Sequence, residues 1–197
     1  MSRRLVVASG NVAKVGEISM MLQGSVWQVV PQSDFGVAIA DEPHATFGEN
    51  ALAKARHAAA RTGLPALADD SGLCVDALSG APGVRSARFA GEAATDQANN
   101  EELLRRLAGI TRRHAHYTCV LTAVRSADDA EPIVAHAQWH GEIALEPRGE
   151  RGFGYDPLFY LPELGLTAAE LDPAHKNRIS HRGLALHALA QRLPEWL

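Results

Sequence analysis

The sequence predicts an α/β fold in which helices flank a mixed central sheet. Apolar runs of strand length alternate along the chain with longer stretches rich in helix formers, which is the main observation behind this prediction. The chain has 197 residues, of which 46% are hydrophobic and 21% charged, so it can bury a sizeable core. We therefore expect one domain over residues 1–197, with two lobes around a substrate cleft.

The first elements are predicted from short patterns near the N-terminus. "RLVVAS" is an apolar run typical of a buried strand. It leads into "GNVAKVGEISMMLQG", where Val15, Ile18 and Leu22 recur at helical spacing and Gly24 provides a stop. "VWQVV" then predicts a second strand.

The middle of the chain predicts two helices separated by strands. "TFGENALAKARHAAARTGLP" is rich in helix formers and ends at Gly63 and Pro65. "ALAD" and "LCVDAL" predict two short strands around an Asp-Ser-Gly turn. "TDQANNEELLRRLAG" predicts a helix capped by Thr95 or Asp96.

The C-terminal half is predicted to be mostly strand, followed by one helix. "HYTCVLTAVRS", "EPIVAHAQWHGEIAL" and "FGYDPLFYL" are β-prone segments. "HRGLALHALAQRL" predicts an amphipathic helix with Leu184, Leu186, Leu189 and Leu193 available for packing.

The totals exclude several functional classes. A net charge of −4 gives no basic footprint for nucleic acid, and no apolar run approaches the roughly 20 residues of a membrane span. The apolar run in "MSRRLVVASGN" is too short for that of a signal peptide. Cys74 and Cys119 are in no Cys-x-x-Cys arrangement, so we expect free thiols and a cytoplasmic protein. A single structural disulfide is the alternative.

The first candidate site follows the first predicted strand. In "ASGNVAK" a strand enters a Gly-containing turn and then a helix, which directs free backbone N–H groups toward an anion. Lys14 lies about one turn into that helix. The chain has only three lysines among 19 cationic residues, and lysine is a recurrent partner of phosphate. An ordinary strand-to-helix turn capped by Asn11 is the alternative.

A second candidate site contains carboxylates. Asp69 and Asp70 end an apolar run, where burial is costly unless a cation compensates. Because side chains alternate along a strand, one of the two is expected to be catalytic or a ligand and the other structural. Mg²⁺ takes one or two protein carboxylates, and Glu42 with Asp70 can supply them. Glu42 precedes the helix that carries Lys54, and a solvated helix start is the alternative for that stretch.

Two further stretches suggest recognition of a base. "RGERGFGYDPLFY" concentrates aromatic residues in a chain that is 6% aromatic, and aromatic faces stack on bases. The alternative, that these are core aromatics, is favoured for Phe159 and Tyr160. "HKNRISHR" places Lys176, Ser180 and a histidine-arginine pair close together, and such donors suit a carbonyl-bearing base or a phosphate.

Taken in order, these motifs resemble one family. "SGNVAK", "FGENALAKA", "ADDSGLCVDALSGAPGVRSARFAG", "GFGYDP" and "ISHR" are similar to the motifs of the inosine/xanthosine triphosphate pyrophosphatases. The resemblance extends from about residue 5 to residue 190. All three lysines lie in its motifs.

The resemblance implies a role for each matching residue. The substrate-binding residues in the first half of the chain would be Ser9, Gly10, Asn11, Val12, Ala13, Lys14, Lys54 and Ser71. Those that hold the base would be Phe153, Gly154, Tyr155, Asp156, Lys176, His181 and Arg182. Glu42 and Asp70 would bind Mg²⁺. Asp70 would be the general base, and Lys14 would be the second catalytic residue.

The implied activity is Mg²⁺-dependent hydrolysis of dITP, ITP and XTP to the monophosphate and pyrophosphate, which cleanses the nucleotide pool. The resemblance also implies a homodimer. Two alternatives stay open: a pyrophosphatase for pyrimidine or modified nucleotides, and a catalytically silent nucleotide-binding protein.

Overall fold

The computed structural model describes residues 3–196. The strands are β1 Arg3–Val7, β2 Trp27–Pro31, β3 Ala66–Val75, β4 His114–Val124, β5 Ile133–Ile143, β6 Phe159–Leu161 and β7 Leu166–Thr167. The helices are α1 Val12–Met21, α2 Phe47–Thr62, α3 Asp96–Arg106, α4 Pro173–Ile179 and α5 His181–Arg192.

The strands form one mixed sheet in the order β2-β1-β3-β4-β5-β6-β7. β1 pairs in parallel with both β2 and β3, whereas β6 pairs antiparallel with β5 and with β7. The predicted α/β class with a mixed sheet is therefore confirmed. None of the helices in the described part of the chain has both the length and the apolar character that a membrane span requires.

The chain divides into two compact units, each with its own core. The first contains the described part of Met1–Asp70 and of Arg182–Leu197, together with Cys119–Ala137. The second contains Ser71–Thr118 and Gln138–His181. β3 continues from the first unit into the second immediately after Asp70.

In the first unit β1 begins with two exposed arginines, and its last three residues, 5–7, are buried on both faces, as their apolar run predicts. Leu5 and Val7 join a core with α1 and α5, whereas Val6 and Ala8 join one with α2. The α2 face of that second core consists of small side chains at helical spacing, namely Ala55, Ala58 and Ala59. Small residues allow α2 to approach the strands closely.

In the second unit one core joins strands and helices. Leu103 and Leu107 from the α3 region pack with Tyr117, Trp139 and Phe159. The alternative reading of Phe159 as a core aromatic is confirmed, since the residue is fully buried.

Two predictions in the middle of the chain are wrong. "ALAD" and the first three residues of "LCVDAL" belong to one continuous strand, because Ser71 and Gly72 stay extended inside β3. The last three residues of "LCVDAL" form a short 3₁₀ helix instead, Asp76–Leu78. The pairing of β3 between β1 and β4 outweighs the turn preference of Asp-Ser-Gly. In "FGYDPLFYL" the strand is limited to β6, because Gly154 adopts a positive φ and Pro157 lacks an N–H donor.

The C-terminal helices also differ from the prediction. α4 is an additional helix, which Asp172 caps by accepting a hydrogen bond from the N–H of His175. Proline at its first position was a usable signal. In α5, Leu186 and Leu189 are buried, but Leu184 is 44% exposed and does not join the core.

Candidate active site

Asp69 and Asp70 are adjacent buried carboxylates on β3, and the alternation of the strand gives them different partners. Asp69 accepts hydrogen bonds from Lys14 Nζ, from Arg182 Nε at 3.0 Å and from Cys119 Sγ at 3.2 Å. Burial raises the pKa of Asp69, but Arg182 and Lys14 outweigh it, so the pKa is held well below its usual value. Asp69 is therefore a fully ionised anchor for two cations.

Asp70 has fewer compensating charges. Its Oδ1 accepts from Lys54 Nζ at 2.9 Å, and its Oδ2 accepts from Asn50 Nδ2 at 3.2 Å. Burial raises the pKa of Asp70, and the opposing effect of Lys54 is too small to restore the usual value. Both oxygens are thus oriented, while the carboxylate remains more basic than an exposed aspartate.

Lys54 also binds a second carboxyl group, that of Glu42. Its Nζ donates to Glu42 Oε1 at 2.6 Å. Burial lowers the pKa of Lys54, but Asp70 and Glu42 outweigh that effect and raise it. We call Glu42, Asn50, Lys54 and Asp70 the carboxylate cluster.

The local structure of α2 explains how the cluster is held. Thr46 caps the helix by accepting a hydrogen bond from the N–H of Glu49. Asn50 and Lys54 lie one turn apart and therefore project from the same face. The i, i+4 spacing of the two residues is visible in the sequence, but Asn50 is not among the predicted site residues.

The donor set of the cluster suits a hard divalent cation. Glu42 and Asp70 bind the same ammonium group, so their oxygens converge on one position where positive charge is already accommodated. Over residues 3–196 no group of three or more His, Cys, Asp or Glu side chains has the arrangement of a metal site. A pair of carboxylates completed by water and phosphate oxygens is the arrangement that Mg²⁺ prefers.

The predicted phosphate segment lies between β1 and α1. Asn11 caps α1, and its Oδ1 accepts from the N–H of Lys14 at 3.1 Å. Its neighbour Val12 is 85% exposed. Ser9 Oγ accepts from the N–H of Asn11 at 3.1 Å, which shapes the turn around Gly10 and the start of α1 at Val12 and Ala13.

The second unit contains a loop built around Asp156. Its Oδ2 accepts from the N–H of Phe153 at 2.9 Å and from Lys176 Nζ at 2.5 Å. Lys176 also lies over the ring of Phe153, 5.3 Å from its centroid. A Cβ at Gly152, where φ is +78°, would come within 2.0 Å of Asp156 Oδ2, so only glycine fits there. We call residues 153–156, which the family resemblance predicts to hold the base, the base loop.

The other predicted residues of the second unit are His181, Tyr155 and Ser71, and the first two are buried. His181 stacks on Tyr117, with ring centroids 4.6 Å apart and planes 6° from parallel. Tyr155 is buried, its hydroxyl donates to Ser86 O at 2.8 Å, and burial raises its pKa. Ser71 is half-buried on β3.

The structure thus brings the predicted residues together in three groups. Glu42, Lys54 and Asp70 share the carboxylate cluster, and Lys14 and Arg182 both bind Asp69. Phe153, Asp156 and Lys176 form the third group. Arg182 was predicted to hold the base together with Lys176, but its guanidinium donates to Asp69 and, at 2.6 Å, to Glu17, so that role stays a prediction.

Glu17 and Cys119 are not among the predicted site residues. Cys119 lies 50 positions from Asp69, and Glu17 lies 165 positions from Arg182, so no local spacing in the sequence joins these partners.

The Ham1 family profile matches residues 5–192 of this chain. A dITP/XTP pyrophosphatase of Aromatoleum aromaticum is 59% identical over 193 residues, which cover 98% of each protein. One from Nitrosomonas europaea is 57% identical over 192 residues, covering 98% of this chain and 95% of the relative.

Solved structures give the same result. A HAM1 protein from Coxiella burnetii superposes with a TM-score of 0.92 at 49% identity, covering 99% of this chain and all of the other. The Ham1 protein of Staphylococcus aureus has a TM-score of 0.88 at 38% identity, with 99% and 100% coverage. The resemblance identified from the motifs is therefore confirmed, and this chain belongs to the Ham1 family.

Proposed function

We propose that this chain hydrolyses the deaminated purine nucleoside triphosphates dITP, ITP and XTP to the monophosphate and pyrophosphate, and so cleanses the nucleotide pool. The observation that carries the proposal is the pair of carboxylates, Glu42 and Asp70, on one lysine ammonium in a chain of the Ham1 family. Relatives that are named dITP/XTP pyrophosphatases support the substrate class.

We propose Mg²⁺ as the cofactor, with Glu42 and Asp70 as its protein ligands. When bound, Mg²⁺ neutralises the charge that develops on phosphate oxygens. The chain's own residues supply the remainder. Asp70 accepts the proton of the attacking water, since its pKa is raised and both of its oxygens are oriented. The water attacks the α-phosphorus, and pyrophosphate leaves.

Lys14 and the turn from Ser9 to Ala13 are proposed to bind the triphosphate, together with Lys54 and Ser71. The backbone N–H groups at the start of α1 and the ammonium of Lys14 both favour anions. Lys14 donates to Asp69 here, and its ammonium has three N–H donors, so it can bind a phosphate oxygen through another of them. Arg182 also pairs with Asp69, so the carboxylate stays compensated when Lys14 binds the phosphate.

The base loop, Lys176, His181 and Arg182 are proposed to recognise the base. Inosine and xanthosine present O6 as an acceptor, whereas adenine presents an N6 amino donor. Donors directed at O6 leave ATP with donor facing donor, and such a mismatch rejects an analogue by roughly 10⁴-fold. GTP shares O6, so its 2-amino group must be what excludes it.

The direct test is pyrophosphate release from ITP, XTP, dITP, GTP and ATP, with Mg²⁺ and then with EDTA. We expect Mg²⁺-dependent release from the three deaminated nucleotides, and loss of that release in Asp70→Asn with an unchanged circular dichroism spectrum. Equal release from all five would support the proposed hydrolysis of the triphosphate and contradict the proposed recognition of the base. Release from none would favour pyrimidine substrates or a silent binder.

We also propose a cytoplasmic homodimer. Two free thiols suit a reducing compartment, and the family resemblance supports the dimer. Light scattering measures the mass directly, and a mass of about 21 kDa would reject the dimer.

A further inference from the structure

Two side chains of α3 bind both backbone polar groups of Gly154, in the base loop. Asp96 Oδ2 accepts a hydrogen bond from the N–H of Gly154 at 2.7 Å. Asn100 Nδ2 donates to the carbonyl oxygen of Gly154 at 2.8 Å. Asp96 and Asn100 are one helical turn apart, so they project from the same face of α3.

Further hydrogen bonds connect Asn100 to Asp96 and stabilise the N-terminus of α3. Asn100 Nδ2 also donates to the backbone oxygen of Asp96 at 2.8 Å, and Thr95 caps α3 by accepting from the N–H of Ala98. A carboxylate that accepts from a backbone N–H forms a charge-assisted hydrogen bond, which is stronger than a neutral one. Gly154 is therefore attached to the first two turns of a helix whose N-terminus is capped.

Gly154 is a point at which the backbone of the loop could change conformation. Its φ of +63° is accessible chiefly to glycine, and a glycine can also adopt other backbone conformations more easily than any other residue. It lies between Phe153, whose N–H binds Asp156, and Tyr155, whose hydroxyl binds Ser86 O. Rotation about Gly154 would move both neighbours, and with them the orientation of the loop.

α3 also holds residues 87–90, which directly follow Ser86, the residue that Tyr155 binds. Asn99 is buried, donates to Ala87 O at 3.1 Å and accepts from the N–H of Ala90 at 2.9 Å. Consecutive residues of α3 thus fix residues 87–90 and the base loop.

We propose that Asp96 and Asn100 are positioning residues for base selectivity: by binding the N–H and the carbonyl oxygen of Gly154, they form a clamp that sets the orientation in which the base loop meets the base. The inference rests on the proposed function of that loop. Neither residue is assigned any contact with the substrate.

The test compares Asp96→Ala and Asn100→Ala with the matched control Gln97→Ala. Gln97 lies on the same helix and makes only an exposed hydrogen bond to Glu101 among the contacts described for it. We expect the ratio of kcat/KM for ITP to that for GTP to fall roughly threefold to tenfold in both clamp variants, the scale of one lost hydrogen bond, and to stay unchanged in the control. Asp96→Asn retains an oxygen acceptor and is expected to restore the ratio.

A direct readout of the clamp is amide hydrogen exchange at Gly154, measured by NMR in the intact protein. Exchange should accelerate in Asp96→Ala and remain slow in Gln97→Ala and Asp96→Asn. A ratio that falls equally in Gln97→Ala would show that the helix is merely destabilised, and this would overturn the proposal.

Asp156→Asn separates failure of this inference from failure of the proposed function. If Asp156→Asn changes the ratio while the clamp variants do not, the inference is wrong and base recognition by the loop stands. If Asp156→Asn leaves the ratio unchanged as well, the loop does not recognise the base, and the proposal for Asp96 and Asn100 is wrong too.

Discussion

Asp69 and Asp70 are adjacent in sequence but have opposite electrostatic environments. Strand alternation directs Asp69 to two cations and a thiol, and Asp70 to a single ammonium that it shares with Glu42. The pKa of Asp69 is therefore lowered and that of Asp70 raised, although both are buried. One stabilises the fold when ionised, and the other retains the basicity that catalysis uses.

We predict that the two Asp→Asn substitutions have opposite effects on stability at neutral pH without metal. Asp69→Asn leaves Arg182 and Lys14 without their shared carboxylate and should lower the free energy of unfolding by about 3 kcal/mol or more. Asp70→Asn removes a carboxylate whose ionised form is disfavoured and should raise the melting temperature. Thermal unfolding in EDTA measures both.

The pH dependence of that pair follows from the signs of the pKa shifts. The folded pKa of Asp69 is depressed, so its stabilisation is present above the unfolded value, near 3.8, and is lost as pH falls through the lower folded value. The folded pKa of Asp70 is raised, so its cost is present at neutral pH and disappears as pH falls through that pKa toward 3.8. The advantage of Asp70→Asn should therefore vanish in acid, and an advantage that persists there would contradict the assignment.

At the scale of elements, the helices act as rigid carriers of the site residues. α2 presents Asn50 and Lys54 from one face, and α3 presents Asp96 and Asn100 in the same i, i+4 relation. α5 begins at His181 and packs its apolar face into the core of the first unit. The stability of each helix thus depends on burial of one face, and its chemistry on the residues near its ends.

We predict that two leucines of α5 differ sharply in their contribution to stability. Leu186→Ala removes a fully buried side chain and should cost about 2–5 kcal/mol. Leu184→Ala removes a side chain that is 44% exposed and should change stability by no more than about 0.5 kcal/mol. Denaturant unfolding of both variants measures the difference, and equal losses would show that Leu184 is buried in solution.

At the scale of the whole molecule, the chain folds without a covalent cross-link. Cys74 and Cys119 are both free thiols, so the alternative of a structural disulfide is wrong. Burial raises the pKa of each thiol, and that of Cys119 is raised further by Asp69. Neither is therefore a ready nucleophile at neutral pH.

We predict that a thiol reagent titrates two cysteines in guanidinium chloride, whereas Cys119 stays unreactive in the native protein because it is fully buried. The melting temperature should be the same with and without a reducing agent. A lower melting temperature under reducing conditions would indicate a disulfide and contradict the structure. The variant Cys74→Ala assigns any native reactivity to one residue.

Sequence by itself determined the class of fold, the existence of most helices and strands, and the membership of the family. These depend on local information: apolar periodicity, caps such as Thr95, and contiguous motifs such as "SGNVAK". It failed at β3, where an Asp-Ser-Gly turn signal lies inside a strand, because pairing with neighbouring strands outweighs local preference.

Only the tertiary structure decided which charged and polar groups come into contact. Lys14 lies 55 positions from Asp69, Arg182 lies 113 positions from it, and Asn100 lies 54 positions from Gly154. No spacing rule reaches across such separations, because the distance between two side chains is set by the packing of the elements that carry them. The same packing decides whether a buried carboxylate is fully compensated, as Asp69 is, or left basic, as Asp70 is.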